Sequence, residues 1–190
     1  MRPGLSRRTM LLAGLALAAC AQSGTAILSG GDQHDIARVE AYFNNLTSLR
    51  LLFEQTFIDG GHGSGVMSYA PGSFRLDYSV PRGMTLVAGD GHLVLSNPQT
   101  GAVTRMGLSH TPLGLLLARP VRLSGPVTVT SVRRSPGVLQ MSMAKTDRMS
   151  DGLLTLQFAD TGETLTLSGI VLVDDRQHVT TLQIRGAASP

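Results

Sequence analysis

Hydrophobic residues recur along this chain with two different periods. Ile36, Val39, Phe43 and Leu46 stand at i, i+3, i+7 and i+10, the spacing of one helical stripe, with Arg38, Glu40, Asn44 and Asn45 on the opposite side. Asp32 is placed to cap this helix, with Asp35 in its first turn. From Leu49 the period falls to two: Leu49, Leu51, Phe53 and Phe57 alternate with Arg50, Glu54 and Thr56, the pattern of a half-buried strand.

The same alternation predicts strands over 66–70, 74–78, 84–89, 92–96, 102–107, 127–133, 138–145, 153–159, 164–173 and 178–185, separated by turn signals. The segment from Asp59 to Gly63 reads as a turn, and Asp90-Gly91 between two apolar runs predicts a two-residue type I′ hairpin. Short connections make neighbours pair antiparallel. One segment interrupts the meander. Thr111-Pro112 is a helix-start signal, Leu113, Leu115, Leu116 and Leu117 follow, and Arg119-Pro120 ends the run. Such a segment is too apolar to lie free on a surface, so it covers something or is itself covered. The expected architecture is mainly β: an incomplete antiparallel barrel of ten or eleven strands with two helices over one mouth, in a single domain over 32–186 with a C-terminal tail at 187–190.

The N-terminus changes the charge balance. Arg8 is followed by an apolar run from Met10 to Ala19, about ten residues and too short to span a bilayer. Residues 1–20 therefore read as a signal peptide, and Ser6-Arg7-Arg8-Thr9-Met10-Leu11 resembles a twin-arginine export signal. Leu17-Ala18-Ala19-Cys20 looks like a lipobox, with Cys20 as the acylated residue, the alternative being cleavage at Ala19-Cys20-Ala21 to release a soluble protein. Residues 21–31 suit a flexible tether. The sequence pI is about 9.6. Setting aside Arg2, Arg7 and Arg8 leaves thirteen of the sixteen basic residues against thirteen acidic ones, so nothing points to nucleic acid. Cys20 is the only cysteine, which excludes an internal disulfide.

Catalytic and metal patterns are not expected. The five histidines, His34, His62, His92, His110 and His178, fall in no metal-ligand spacing, and Gly63-Ser64-Gly65 is no nucleophile elbow. Asp174-Asp175 are turn formers. No phosphate-binding loop or dinucleotide fingerprint occurs, and neither a cofactor nor an enzymatic role is expected.

Several short motifs stand in a characteristic order: Phe53-Glu54-Gln55; Pro71-Gly72 followed by Phe74-Arg75-Leu76-Asp77-Tyr78 and Pro81; Asp90-Gly91; Asn97-Pro98; Thr111-Pro112-Leu113; and Asp175 to Thr181. In order and spacing they resemble the LolA family of lipoprotein carriers over roughly residues 34–186. The resemblance implies an open barrel with a helical lid over an apolar cavity that holds lipoprotein acyl chains. It also implies lipoprotein partners and an inner-membrane ABC exporter as donor. The alternation assigns Phe53, Phe57, Phe74, Leu76, Leu86, Leu115 and Leu116 to the cavity. The family often carries a basic residue before the Pro-Gly turn that is linked to lid closure; here Ala70 stands there, leaving Arg75 or Arg82 as substitutes. A lipobox on such a domain resembles the outer-membrane receptor LolB rather than a soluble carrier. The resemblance thus implies a periplasmic location, anchored at the outer membrane if Cys20 is acylated. A structural or interaction lipoprotein of the same fold, its core filled by its own side chains, is the alternative expectation.

Overall fold

The computed structural model describes residues 28–57 and 59–188; the signal-peptide and Cys20 expectations lie outside them. One helix, α1 (Gly30–Asn45), precedes eleven strands: β1 (Leu49–Thr56), β2 (His62–Ala70), β3 (Ser73–Val80), β4 (Thr85–Gly89), β5 (His92–Asn97), β6 (Ala102–Gly107), β7 (Val127–Ser135), β8 (Val138–Lys145), β9 (Gly152–Asp160), β10 (Leu165–Asp174) and β11 (Val179–Ala187). All are antiparallel in one open sheet of order β6-β5-β4-β3-β2-β1-β11-β10-β9-β8-β7. Two meanders, β1–β6 and β7–β11, are therefore joined side by side through β1 and β11, where Leu51 lies opposite Ala187 and Thr56 opposite Thr181.

The helix begins before the expected cap. Ser29 is the N-cap, its hydroxyl accepting from the Asp32 N–H at 3.1 Å, while the Asp32 carboxylate accepts from the Ser29 N–H at 2.8 Å. That reciprocal pair is a capping box with Asp in the third position. Asp90 and Gly91 adopt positive φ, 49° and 76°, the geometry of the expected type I′ hairpin.

Two sequence expectations need correction. First, β2 begins at His62, so the last two residues of the predicted glycine-rich turn, and the residues up to the predicted strand start, are strand. Glycine is required there for packing. A Cβ at Gly63 would press on the Phe57 and Tyr78 rings, and one at Gly65 would run into the Asp77 carbonyl where β2 and β3 change register. Second, the Leu-rich segment after Thr111 is not an α-helix. It forms a short 3-10 turn, Pro112–Leu116, preceded by another at Leu108–His110. Thr111 caps the second through its hydroxyl, as the Thr-Pro signal implies. Gly114 in the middle and Pro120 just beyond keep the run too short for regular helix.

The core lies on the concave face of the sheet. Leu51, Phe53, Met67, Tyr69, Phe74, Leu76, Leu139, Met141, Met143, Leu154, Leu156, Phe158, Ile170 and Leu182 are buried on it. Val39 and Phe43 descend from α1, and Leu113 and Leu116 from the β6–β7 crossover. Phe43 meets Tyr69 and Phe158 edge-on at ring separations of 5.5 and 6.3 Å, a favoured aromatic geometry.

Candidate functional site

The candidate site is the concave face and the layer over it. Helix α1 and the crossover form one cover. The Asn44 amide donates to the Val121 carbonyl at 3.0 Å and accepts from the Val121 N–H at 2.9 Å; the Glu40 carboxylate accepts from the Leu123 N–H at 2.6 Å. A helix face with no strand partner of its own thus satisfies the backbone of an irregular segment, which burial would otherwise leave unpaired.

Few polar ties hold this cover to the sheet. The Tyr69 hydroxyl on β2 donates to the Leu116 carbonyl at 3.0 Å, and burial pushes the phenol up to about 12 against the opposing influence of Arg119. The other end of the cover is tied by charge. Arg134 on β7 reaches Asp32 and Asp35 at 2.8 and 2.6 Å, and Arg38 on α1 reaches Asp160 at 2.6 Å and Asp35 at 2.9 Å. Hydrogen bonding from Arg38, then from the Gly162 N–H, holds the Asp160 carboxyl down at about 2. The Lys145 ammonium on β8 also donates to the Ser109 carbonyl, and the Leu108 N–H to the Gly91 carbonyl at 2.9 Å; most of the other contact between cover and face is apolar.

The sequence-assigned residues fall into three places. Phe53, Phe74 and Leu76 are buried on the concave face, and Leu115 and Leu116 are buried in the crossover. Leu86 and Phe57 are half-buried at its margins, Phe57 stacked on Tyr78. Leu113 and Leu116, only 2% and 1% exposed, lie in the same continuous core as the face. Space remains at the margins as open grooves. One of about 480 Å³ runs beside the crossover between Leu108, Leu115, Leu117 and Val127. Another of about 450 Å³ lies between Met106, Pro112 and the β10–β11 turn.

Arg75 lies on the opposite face. It is exposed and paired with Asp77, while its neighbours Phe74 and Leu76 point inward, so strand alternation keeps it from the cover. Arg82 is also exposed. The β2–β3 turn instead meets the cover through two residues the sequence reading passed over. Besides Tyr69, the Arg119 side chain lies directly across Gly72, where any Cβ would collide with its guanidinium. Alternation with Met67 already put Tyr69 on the concave face, and a buried phenol needs a hydrogen-bond partner. The partner, 47 residues away, was not legible. Gln55, the polar member of the Phe53-Glu54-Gln55 motif, is buried and accepts from the Tyr78 hydroxyl, whose pKa is raised by burial.

Among the described residues, no three His, Cys, Asp or Glu gather as metal ligands, and no helix is long and apolar enough to cross a membrane.

A curved, open antiparallel sheet with a helix and a crossover over its apolar face defines the LolA-like class of fold. The sequence model for the outer membrane lipoprotein carrier protein LolA matches residues 44–189, and the chain belongs to that family. Its members are carriers and binders of lipoproteins. Among solved structures, the chain is similar to an uncharacterized conserved protein from Thermus thermophilus (11% identity, TM-score 0.46, covering 84% of this chain and 88% of that one). It is also similar to a LolA superfamily protein from Nitrosomonas europaea (9%, 0.37, 83% and 94%) and to lipoprotein LppX from Mycobacterium tuberculosis (12%, 0.38, 84% and 97%). Family membership rests on the matched sequence rather than on these distant likenesses. No curated protein matches the chain.

Proposed function

We propose that this chain binds lipoprotein acyl chains on the concave face, beneath the cover, and carries or accepts them on the way to the outer membrane. The observation that carries this reading is the unequal bonding of the two layers. The sheet is held by continuous backbone ladders, whereas the cover meets it through apolar side chains and a few polar ties. An acyl chain can replace the apolar contacts of Leu113 and Leu116 at little net cost, since each buried CH₂ contributes about 0.8 kcal/mol. Met67, Met141 and Met143 supply an adaptable floor. Cargo therefore enters by displacing the cover from the face.

In this reading the tie between cover and β2–β3 is made by Tyr69 and Arg119, not by a basic residue at Ala70 or by Arg75. The signal peptide and lipobox support a periplasmic protein anchored at the outer membrane through Cys20, hence a LolB-like acceptor, with an inner-membrane ABC exporter upstream. The filled concave face favours a second reading: an interaction lipoprotein of the same fold that never opens.

Displacement of a fluorescent fatty acid by a diacylated lipopeptide separates the two. Saturable binding, with one lipopeptide displacing the probe, is the expected result. A chain that binds neither ligand, while unfolding cooperatively, has a core and no cavity.

A further inference from the structure

We propose that the groove beside the crossover docks the protein on a bilayer surface bearing anionic phospholipid. This goes beyond the acyl-chain reading and can fail or stand without it.

The groove is walled mainly by apolar groups, Leu108, Leu115, Leu117, Pro120, Pro126 and Val127, with Arg122 and Lys145 also lining it and no carboxylate among its lining residues. The crossover from Leu108 to Pro126, the longest connection between strands, contains no Asp or Glu, and its only Arg or Lys residues are Arg119 and Arg122. Arg119 and Arg122 are exposed and enter no ion pair among the described residues. Lys145 is partly neutralised, its ammonium on the Ser109 carbonyl and 3.5 Å from Asp151. The surface thus joins an open apolar wall to the uncompensated guanidinium of Arg122, the Arg119 guanidinium lying across Gly72. A phosphodiester head group complements the Arg122 guanidinium, and the acyl region just beneath complements Leu117, Ala118 and Pro120.

The test is partition of the full chain carrying Cys20→Ser, which adds no acyl anchor, onto vesicles of phosphatidylcholine alone or mixed with phosphatidylglycerol. Arg2, Arg7 and Arg8 at the N-terminus favour the anionic vesicle on their own, so the change in ratio caused by the Arg122 variants, rather than the parent's ratio, isolates the groove. A preference for phosphatidylglycerol is expected. It should fall about fivefold with Arg122→Gln, further with Arg122→Glu, and with added salt. Arg122 is exposed and unpaired, so both variants should fold, which unfolding curves check. Equal partition by the parent, or a preference unchanged in both variants, overturns the proposal. Fatty-acid displacement by the same proteins keeps the two readings apart. Vesicle preference without fatty-acid binding sinks the carrier and leaves the docking site; fatty-acid binding without vesicle preference does the reverse.

Discussion

The two wings of the sheet are built alike and finished differently. On β8 and β9, Leu139, Met141, Met143, Leu154, Leu156 and Phe158 have no exposed surface at all. On β6 every residue but the last is exposed, and Val103 keeps 66% of its surface. Both wings have full antiparallel ladders, so backbone pairing is not what separates them. The cover does. Helix α1 touches β10, and the crossover touches β8, β9 and β10, so one wing has a second layer and the other thins to a single one. A ladder fixes where strands lie; the layer above determines how much apolar surface leaves water.

This contrast can be broken most severely from the covered wing. Leu156→Ala is expected to cost about 3 kcal/mol, whereas Leu86→Ala, half-buried near the bare wing, costs about 1. Denaturant unfolding of both measures the difference, and equal losses would mean that the cover adds nothing to the core. Loosening the cover without emptying the core is a smaller change. Tyr69→Phe leaves the Leu116 carbonyl without its donor and is expected to cost about 1–2 kcal/mol. If the cover moves to admit cargo, the same variant binds a fluorescent fatty acid faster than the parent in stopped-flow mixing. Slower or unchanged association would make Tyr69 a core residue only.

The smallest effect is at the charged end of the cover. Asp160 is held at about 2, below its ordinary 3.8, chiefly by Arg38. A depressed carboxyl stabilises fully above its unfolded-state value and loses that contribution as pH falls through the folded one. The window is therefore about pH 4 down to about pH 2. Asp32, lowered first by the Ser29 N–H, adds in the same direction. Asp160→Asn should flatten the decline of the denaturation midpoint across that window while leaving Tyr69 and the crossover in place. An unchanged slope would remove the ion pair from the account.

Local pattern carried most of this fold. Alternation located all eleven strands to within a few residues, and Asp90-Gly91 specified its turn, because these signals act between neighbours in sequence. It also placed Phe53, Phe74 and Leu76 on one face. It could not say what lies opposite them. That Leu113 and Leu116 fill the face, that Asn44 bonds Val121, and that Arg134 reaches Asp35 are relations across 40 to about 100 residues. Composition hid them too, since Arg38, Asn44 and Glu40 read as an outward polar side of α1. That side in fact holds the crossover and the β9–β10 turn.

The pairing of β1 with β11 has a consequence for how the chain comes into being. The first strand synthesised waits for the last, because Leu51 finds Ala187 only when the chain is almost finished. Until then each meander can zip up by itself, hairpin by hairpin, but the two remain separate sheets with a raw seam between them. Closing that seam is the costly long-range step of folding, and a nascent chain exposes both seam edges while it waits. Truncation by a single strand at the C-terminus would leave nearly all of the sequence present and the seam permanently open.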